Sequence, residues 1–190
     1  MSVLYGLYGT LNLTELAHAM PATTGGTALL VVAIFALIIG IGFKIAAVPF
    51  HFWCPDVFEG AAIEVTAFLS VASKGAALVL LLRVVMSIAE AYGYVGHHGD
   101  LLSAPAVLAI VIGVLGTLSA TVGNTAAFVQ NNIKRLLAYS SIAHAGYMLC
   151  AISLLLKAGA TEDPSPIVAR TILFYLAVYL FMNLGAFTVA

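Results

Sequence analysis

Five long apolar runs alternate with short polar connections along the chain, covering 27–48, 62–89, 104–128, 133–156 and 167–190. Each is close to the roughly 20 residues that an α-helix needs to cross a hydrocarbon core. The connections at 54–60, 90–103, 129–132 and 157–166 are polar, and a turn-like Thr23-Thr24-Gly25-Gly26 precedes the first run. The pattern predicts an all-α fold, a polytopic transmembrane helical bundle of about five spans in a single membrane domain over 1–190. The first span should break near Pro49, whose ring crowds the preceding turn and whose nitrogen has no proton to donate. Apolar residues run to position 190 without a polar cap, and 1–13 resembles the exit of an earlier span, so the expectation is an internal piece of a longer protein. No signal peptide is read in 1–13, which lacks a basic leading region and a small-residue cleavage site.

Composition sharpens this picture. The 190 residues are 63% hydrophobic and 8% charged, where soluble domains carry about 25% charge. The net charge of −1 gives no footprint for nucleic acid or for an anionic surface, and the partner that composition implies is the lipid bilayer. Cys54 and Cys150 lie in different segments without metal or pairing spacing and read as small apolar residues. No phosphate-binding loop, nucleophile elbow or iron–sulfur cysteine cluster occurs, so neither a metal nor a cofactor is expected on this chain. Lys134 and Arg135 place the turn before the fourth span on the cytoplasmic side, and 54–60 with it; Lys157 and Arg170 weigh the other way.

Two lysines interrupt the apolar runs. An ammonium near the bilayer centre costs about 2.5–3.5 kcal/mol on insertion scales, so such residues face a protein interior or a wetted cavity. Lys44 falls in the last turn before the break, where the negative end of a helix dipole favours a cation. Two readings stand for it, an ion pathway beside a broken helix and a side chain that snorkels to the interface. Lys74 has about ten apolar or small residues on either side, with Thr66, Ser70, Ser73 and Ala77 on its face. It reads as a proton carrier able to take either charge state near neutral pH, or as half of a structural ion pair.

Two polar stripes are expected to point inward: Ser140, His144 and Tyr147 on the fourth span, and Thr117, Thr121 and Asn124 on the third, the latter read as interhelical packing rather than a path. His144 reads either as a hydrogen-bonded packing residue or as a relay that titrates near physiological pH. Arg83 reads as snorkelling, His97 and His98 as solvated, and Glu64 as a complement to a helix N-terminus.

These segments resemble a known family. FKIAAVPFHFWCPDVFEGAAIEVTAFLSVASK at 43–74, QNNIKRLLAYSSIAHAGY at 130–147 and YLAVYLFMNLGAF at 175–187 are similar to the subunit N branch of the antiporter-like membrane subunits of proton-pumping NADH:quinone oxidoreductase (complex I). The resemblance implies proton translocation in a bacterial inner membrane, along Lys44 and Lys74, with His144, Lys134 and Tyr139 as further relay positions. It implies neighbouring antiporter-like and small membrane subunits as partners, and NADH, FMN, iron–sulfur clusters and quinone in other subunits. Mrp-type cation/proton antiporter subunits share the architecture and form the alternative, beside a non-pumping scaffold. One departure stands out: Ala62 and Glu64 occupy two positions where the family carries proline.

Overall fold

In lipid, a backbone amide finds its partner within its own helix or not at all, and the apolar runs fold accordingly. The computed structural model describes residues 2–19, 27–92, 104–156 and 165–189. Among these, every regular element is helical: α1 Ser2–Tyr8, α2 Leu13–Ala19, α3 Thr27–Ile45, α4 Trp53–Gly60, α5 Ile63–Phe68, a π-helical turn Leu69–Ser73, α6 Lys74–Tyr92, α7 Ala104–Ala127, α8 Ile133–Leu154 and α9 Ser165–Val189. Four stretches are long and apolar enough to cross a membrane, Ile63–Ala89, Ala106–Ala127, Ile133–Leu154 and Pro166–Val189, beside a shorter apolar helix Val32–Ile45. The chain is a multi-pass membrane protein built as an all-α bundle. The connections expected at 93–103, with His97 and His98, and at 157–164 lie outside the described residues, as do 20–26.

The first span does break, and the residue that ends it is Ala46 rather than Pro49. Ala46 adopts a left-handed conformation with φ of 62°. Its amide then bonds back to the Phe43 carbonyl at 3.1 Å and that of Ala47 to the Gly42 carbonyl at 2.8 Å, which closes a Schellman motif. Pro49, three residues on, ensures that the helix cannot resume. Freed backbone groups find partners in the bundle: Val48 N–H donates to Ser119 Oγ at 2.9 Å, and the Trp53 indole donates to the Phe43 carbonyl at 3.1 Å. A left-handed L-residue costs about 1–2 kcal/mol that glycine does not incur. Ala46→Gly is therefore expected to raise stability by about 0.5 kcal/mol after the loss to chain entropy, read as a small rise in the thermal midpoint.

The polar stretch after the break is not a surface connection. It forms α4, which buries Cys54, Pro55 and Phe58 and leaves Asp56 and Glu59 outside. The reason is amphipathic spacing, since positions i and i+4 share a helix face. Cys54 and Phe58 join Ala46, Ala67, Ala138, Ile142 and Phe187 in a small core beside the break. A larger core fills the rest of the bundle around Ile45, Leu78, Val85, Ile112 and Ile152.

Glycines let α7 and α8 approach almost backbone to backbone. A Cβ on Gly146 would meet the Ala120 nitrogen and lie 2.7 Å from the Gly116 carbonyl oxygen; one on Gly123 would lie 2.7 Å from the Ala143 nitrogen. Backbone cannot yield as a side chain end can. Gly146→Val is expected to cost about 3 kcal/mol or more, measured as a thermal midpoint several degrees lower for the purified assembly.

Candidate functional site

Lys74 opens α6 directly after the π-helical turn, and 2% of it is exposed. Its Nζ donates to Ser141 Oγ at 2.5 Å and to Cys54 Sγ at 3.4 Å, and stands 5.5 Å above the centre of the Phe58 ring. Ser141 gives its own proton to the Ala138 carbonyl at 2.7 Å, so its oxygen is oriented as an acceptor for the amine. The three partners come from two elements, Cys54 and Phe58 from α4 and Ser141 from α8. None is a carboxylate, and no carboxylate pairs with Lys74 among the described residues. A charge removed from water without a counter-ion is costly, whereas a hydroxyl, a sulfur and a π face serve the amine in either charge state.

The π-helical turn sets where Lys74 points. It adds a residue to one turn, and such turns recur at functional sites. Its fully buried Ser70 donates to the Ala67 carbonyl at 2.8 Å. From α9, Asn183 Nδ2 donates to Ser70 Oγ at 2.6 Å and to the Tyr179 hydroxyl at 3.1 Å, and Tyr179 donates to the Ser70 carbonyl at 3.5 Å. Tyr179 also approaches the Ser141 side chain. Its ring packs on that of His144 with centroids 5.3 Å apart. His144 Nδ1 in turn shares a hydrogen bond of 2.6 Å with the Tyr175 hydroxyl. A polar seam thus runs from Lys74 through Ser141 and Tyr179 to His144 and Tyr175.

The other expected residues lie elsewhere. Lys44 is exposed and borders an open groove between α3 and α6, lined by Gly40, Ile41, Ala76, Ala77 and Leu80. Lys134 donates from Nζ to the Ala61 carbonyl at 3.0 Å, at the end of α4. Tyr139 is half-buried against the small core. Pro49 lies exposed within the break. The threonine stripe differs from expectation: Thr117, Thr121 and Asn124 lie exposed on α7. Thr117 and Thr121 return their hydroxyls to carbonyls one turn back, at 2.9 and 2.8 Å, and Asn124 donates to the Tyr147 hydroxyl at 2.5 Å.

Sequence reasoning took Cys54 for a small apolar residue only, where it accepts from Lys74, and passed over Phe58, Tyr175, Tyr179 and Asn183. For Asn183 a signal existed, a lone carboxamide inside an otherwise apolar run. The same reasoning put 54–60 and the turn before the fourth span on one side without pairing their charges at the outer face of α4. Arg135 Nη1 lies 2.9 Å from Asp56 Oδ1 and 2.7 Å from Glu59 Oε2, and Asn132 Nδ2 donates to Glu59 at 3.1 Å. The Arg135 guanidinium holds the Glu59 carboxyl below the usual carboxylate range, so the pair stays ionised through neutral pH and weakens only as pH falls through that lowered value. This contact puts the two turns on one side of the bundle.

The family model described as "NADH:quinone oxidoreductase/Mrp antiporter, TM" matches residues 1–190. Among curated relatives, NADH-quinone oxidoreductase subunit N of Rhodospirillum rubrum is 46% identical over 189 residues, covering 100% of this chain and 34% of the relative. The subunit N of Bacillus anthracis is 40% identical over 191 residues, with 100% and 35% covered. A chain of respiratory complex I from Thermus thermophilus, solved with bound aureothin, superposes with a TM-score of 0.66 at 34% identity, covering 98% of this chain and 34% of that one. The chain therefore spans about a third of the length of these relatives.

Proposed function

The chain belongs to the NADH:quinone oxidoreductase/Mrp antiporter transmembrane family, and on that premise we propose that it serves in a proton-translocating membrane subunit of an NADH:quinone oxidoreductase. Lys74 is the proton carrier at mid-membrane. The observation that carries this reading is its burial beside a hydroxyl, a sulfur and an aromatic face, with no carboxylate paired to it among the described residues. Lys44, on the α3–α6 groove, is a second carrier. His144, hydrogen-bonded to Tyr175, continues the seam. Lys134 and Tyr139 stand at its margin, where Lys134 caps α4 rather than facing the amine. Electron transfer from NADH through FMN and iron–sulfur clusters to quinone takes place on other subunits. The partners are adjacent antiporter-like and small membrane subunits, and the setting is a bacterial inner membrane, as the bacterial sources of the relatives support.

A cation/proton antiporter subunit is the second reading, since the family includes one. A sodium ion is held by carboxylates or clustered carbonyl oxygens, whereas the buried seam offers an amine, hydroxyls and an imidazole. The deciding experiment places Lys74→Ala in the full subunit of the assembled complex. Lost proton translocation with normal assembly supports the proposal. Normal translocation would leave a scaffold role, and lost sodium transport an antiporter.

A further inference from the structure

Helix α4 is eight residues long, too short to hold itself in water or lipid. It hangs between two non-helical joints, at 46–52 and 61–62. Its inner face presents Cys54 and Phe58 to Lys74. On its outer face Asp56 and Glu59 meet Arg135, which lies in the first turn of α8. Ser141, the remaining partner of Lys74, stands further along that same helix. One helix therefore carries both the grip on α4 and the fixed side of the amine's cradle.

We propose that Arg135 is a positioning residue: its ion pairs latch α4 so that Cys54 and Phe58 close over Lys74, and releasing the latch lets α4 swing away from the amine. The inference rests on Lys74 being the proton carrier. Exposed ion pairs add little to global stability, and Arg135 and its partners are partly open to solvent, with Asp56 73% exposed. The small core around Cys54 and Phe58 holds α4 as well, so losing the ion pairs raises the population of an opened α4 rather than freeing it outright. Lys134 and Asn132 reinforce the same grip through the Ala61 carbonyl and the Glu59 carboxylate.

Cys54 reports the position of α4 directly. It is fully buried, whereas Cys150 is half-buried and remote from the latch. Membranes carrying the assembled complex are treated with N-ethylmaleimide, and labelling of each cysteine is followed by peptide mass spectrometry. Arg135→Gln is expected to speed Cys54 labelling about tenfold, the equivalent of about 1.4 kcal/mol in the closed-to-open equilibrium. Cys150 labelling and the thermal midpoint should stay unchanged, and Arg135→Lys should restore most of the protection. Proton translocation per NADH oxidised should fall with Arg135→Gln and recover with Arg135→Lys. Should Arg135→Gln fail to assemble, the double variant Asp56→Asn with Glu59→Gln, which removes the same ion pairs from the α4 side, gives the same readout. Cys54 labelling at the unsubstituted rate in Arg135→Gln, or in the Asp56→Asn, Glu59→Gln variant, overturns the latch. Faster labelling with undiminished translocation overturns the positioning role. Neither outcome bears on the Lys74→Ala experiment, whose failure would sink the carrier reading itself.

Discussion

Lys74→Ala is expected to lower NADH-driven proton translocation about 100-fold, the scale on which a positioned proton-transfer group acts, while the subunit stays folded in its complex. Two energetic terms separate this loss from a stability defect. Removing the stem of a buried lysine leaves a cavity, which costs on the order of 2 kcal/mol. Removing the ammonium also abolishes a desolvation penalty of several kcal/mol. The partners left behind stay satisfied or tolerant: Ser141 still donates to the Ala138 carbonyl, and Cys54 and Phe58 need no donor. Folding should therefore change little. Lys74→Arg is the sharper variant, because a guanidinium keeps the charge but cannot release its proton. It too should be inactive. Both are read in inverted vesicles from quenching of a pH-sensitive dye beside the rate of NADH oxidation. Full quenching with Lys74→Arg would mean that Lys74 supplies a fixed charge and carries nothing.

The sequence exposes what breaks a hydropathy pattern and hides what agrees with it. Lys44, Lys74 and Pro49 stand out because lipid does not tolerate them unexplained. The spacing of Ser140, His144 and Tyr147 picked out the seam's histidine, although Tyr147 itself lies exposed rather than inward. Ala46 gives no such signal. Its left-handed turn is a property of the surrounding fold, and alanine is a strong helix former by propensity. The π-helical turn at Leu69–Ser73 is equally silent, since one extra residue leaves composition untouched. Segment 54–60 read as a connection because it is rich in charge. Its apolar residues at i and i+4 form a buried face that only packing against α8 makes worthwhile. The latch joins Arg135 to Asp56 across 79 residues, a pairing that local periodicity cannot find. The threonine stripe lies exposed, because hydroxyls in helices satisfy themselves on the preceding turn, yet Asn124 and Thr117 still reach Tyr147 and Cys150 on α8.

Asn183→Leu should be the most damaging change on α9, and its damage should reach Lys74 without touching it. Asn183 is 3% exposed and has one task visible in the structure, to hold Ser70 Oγ and the Tyr179 hydroxyl together over the π-helical turn. Leucine fills the volume and offers no donor. Two buried hydroxyl oxygens then lose a partner, at about 1–3 kcal/mol each, which lowers the thermal midpoint of the complex by several degrees. The functional effect follows from geometry. Should the turn Leu69–Ser73 relax to regular α-helix, residues beyond it rotate by about 100°, one residue's share of a 3.6-residue turn. Lys74 would swing off Ser141 and Cys54. Asn183→Leu is thus expected to lower proton translocation at least tenfold per assembled complex. Asn183→Gln, which keeps the donor on a longer arm, should retain more activity. Should Asn183→Leu unfold the complex no more readily than the unsubstituted form and pump at the same rate, the turn does not depend on α9, and the rotation of Lys74 is fixed by α4 and α8 alone.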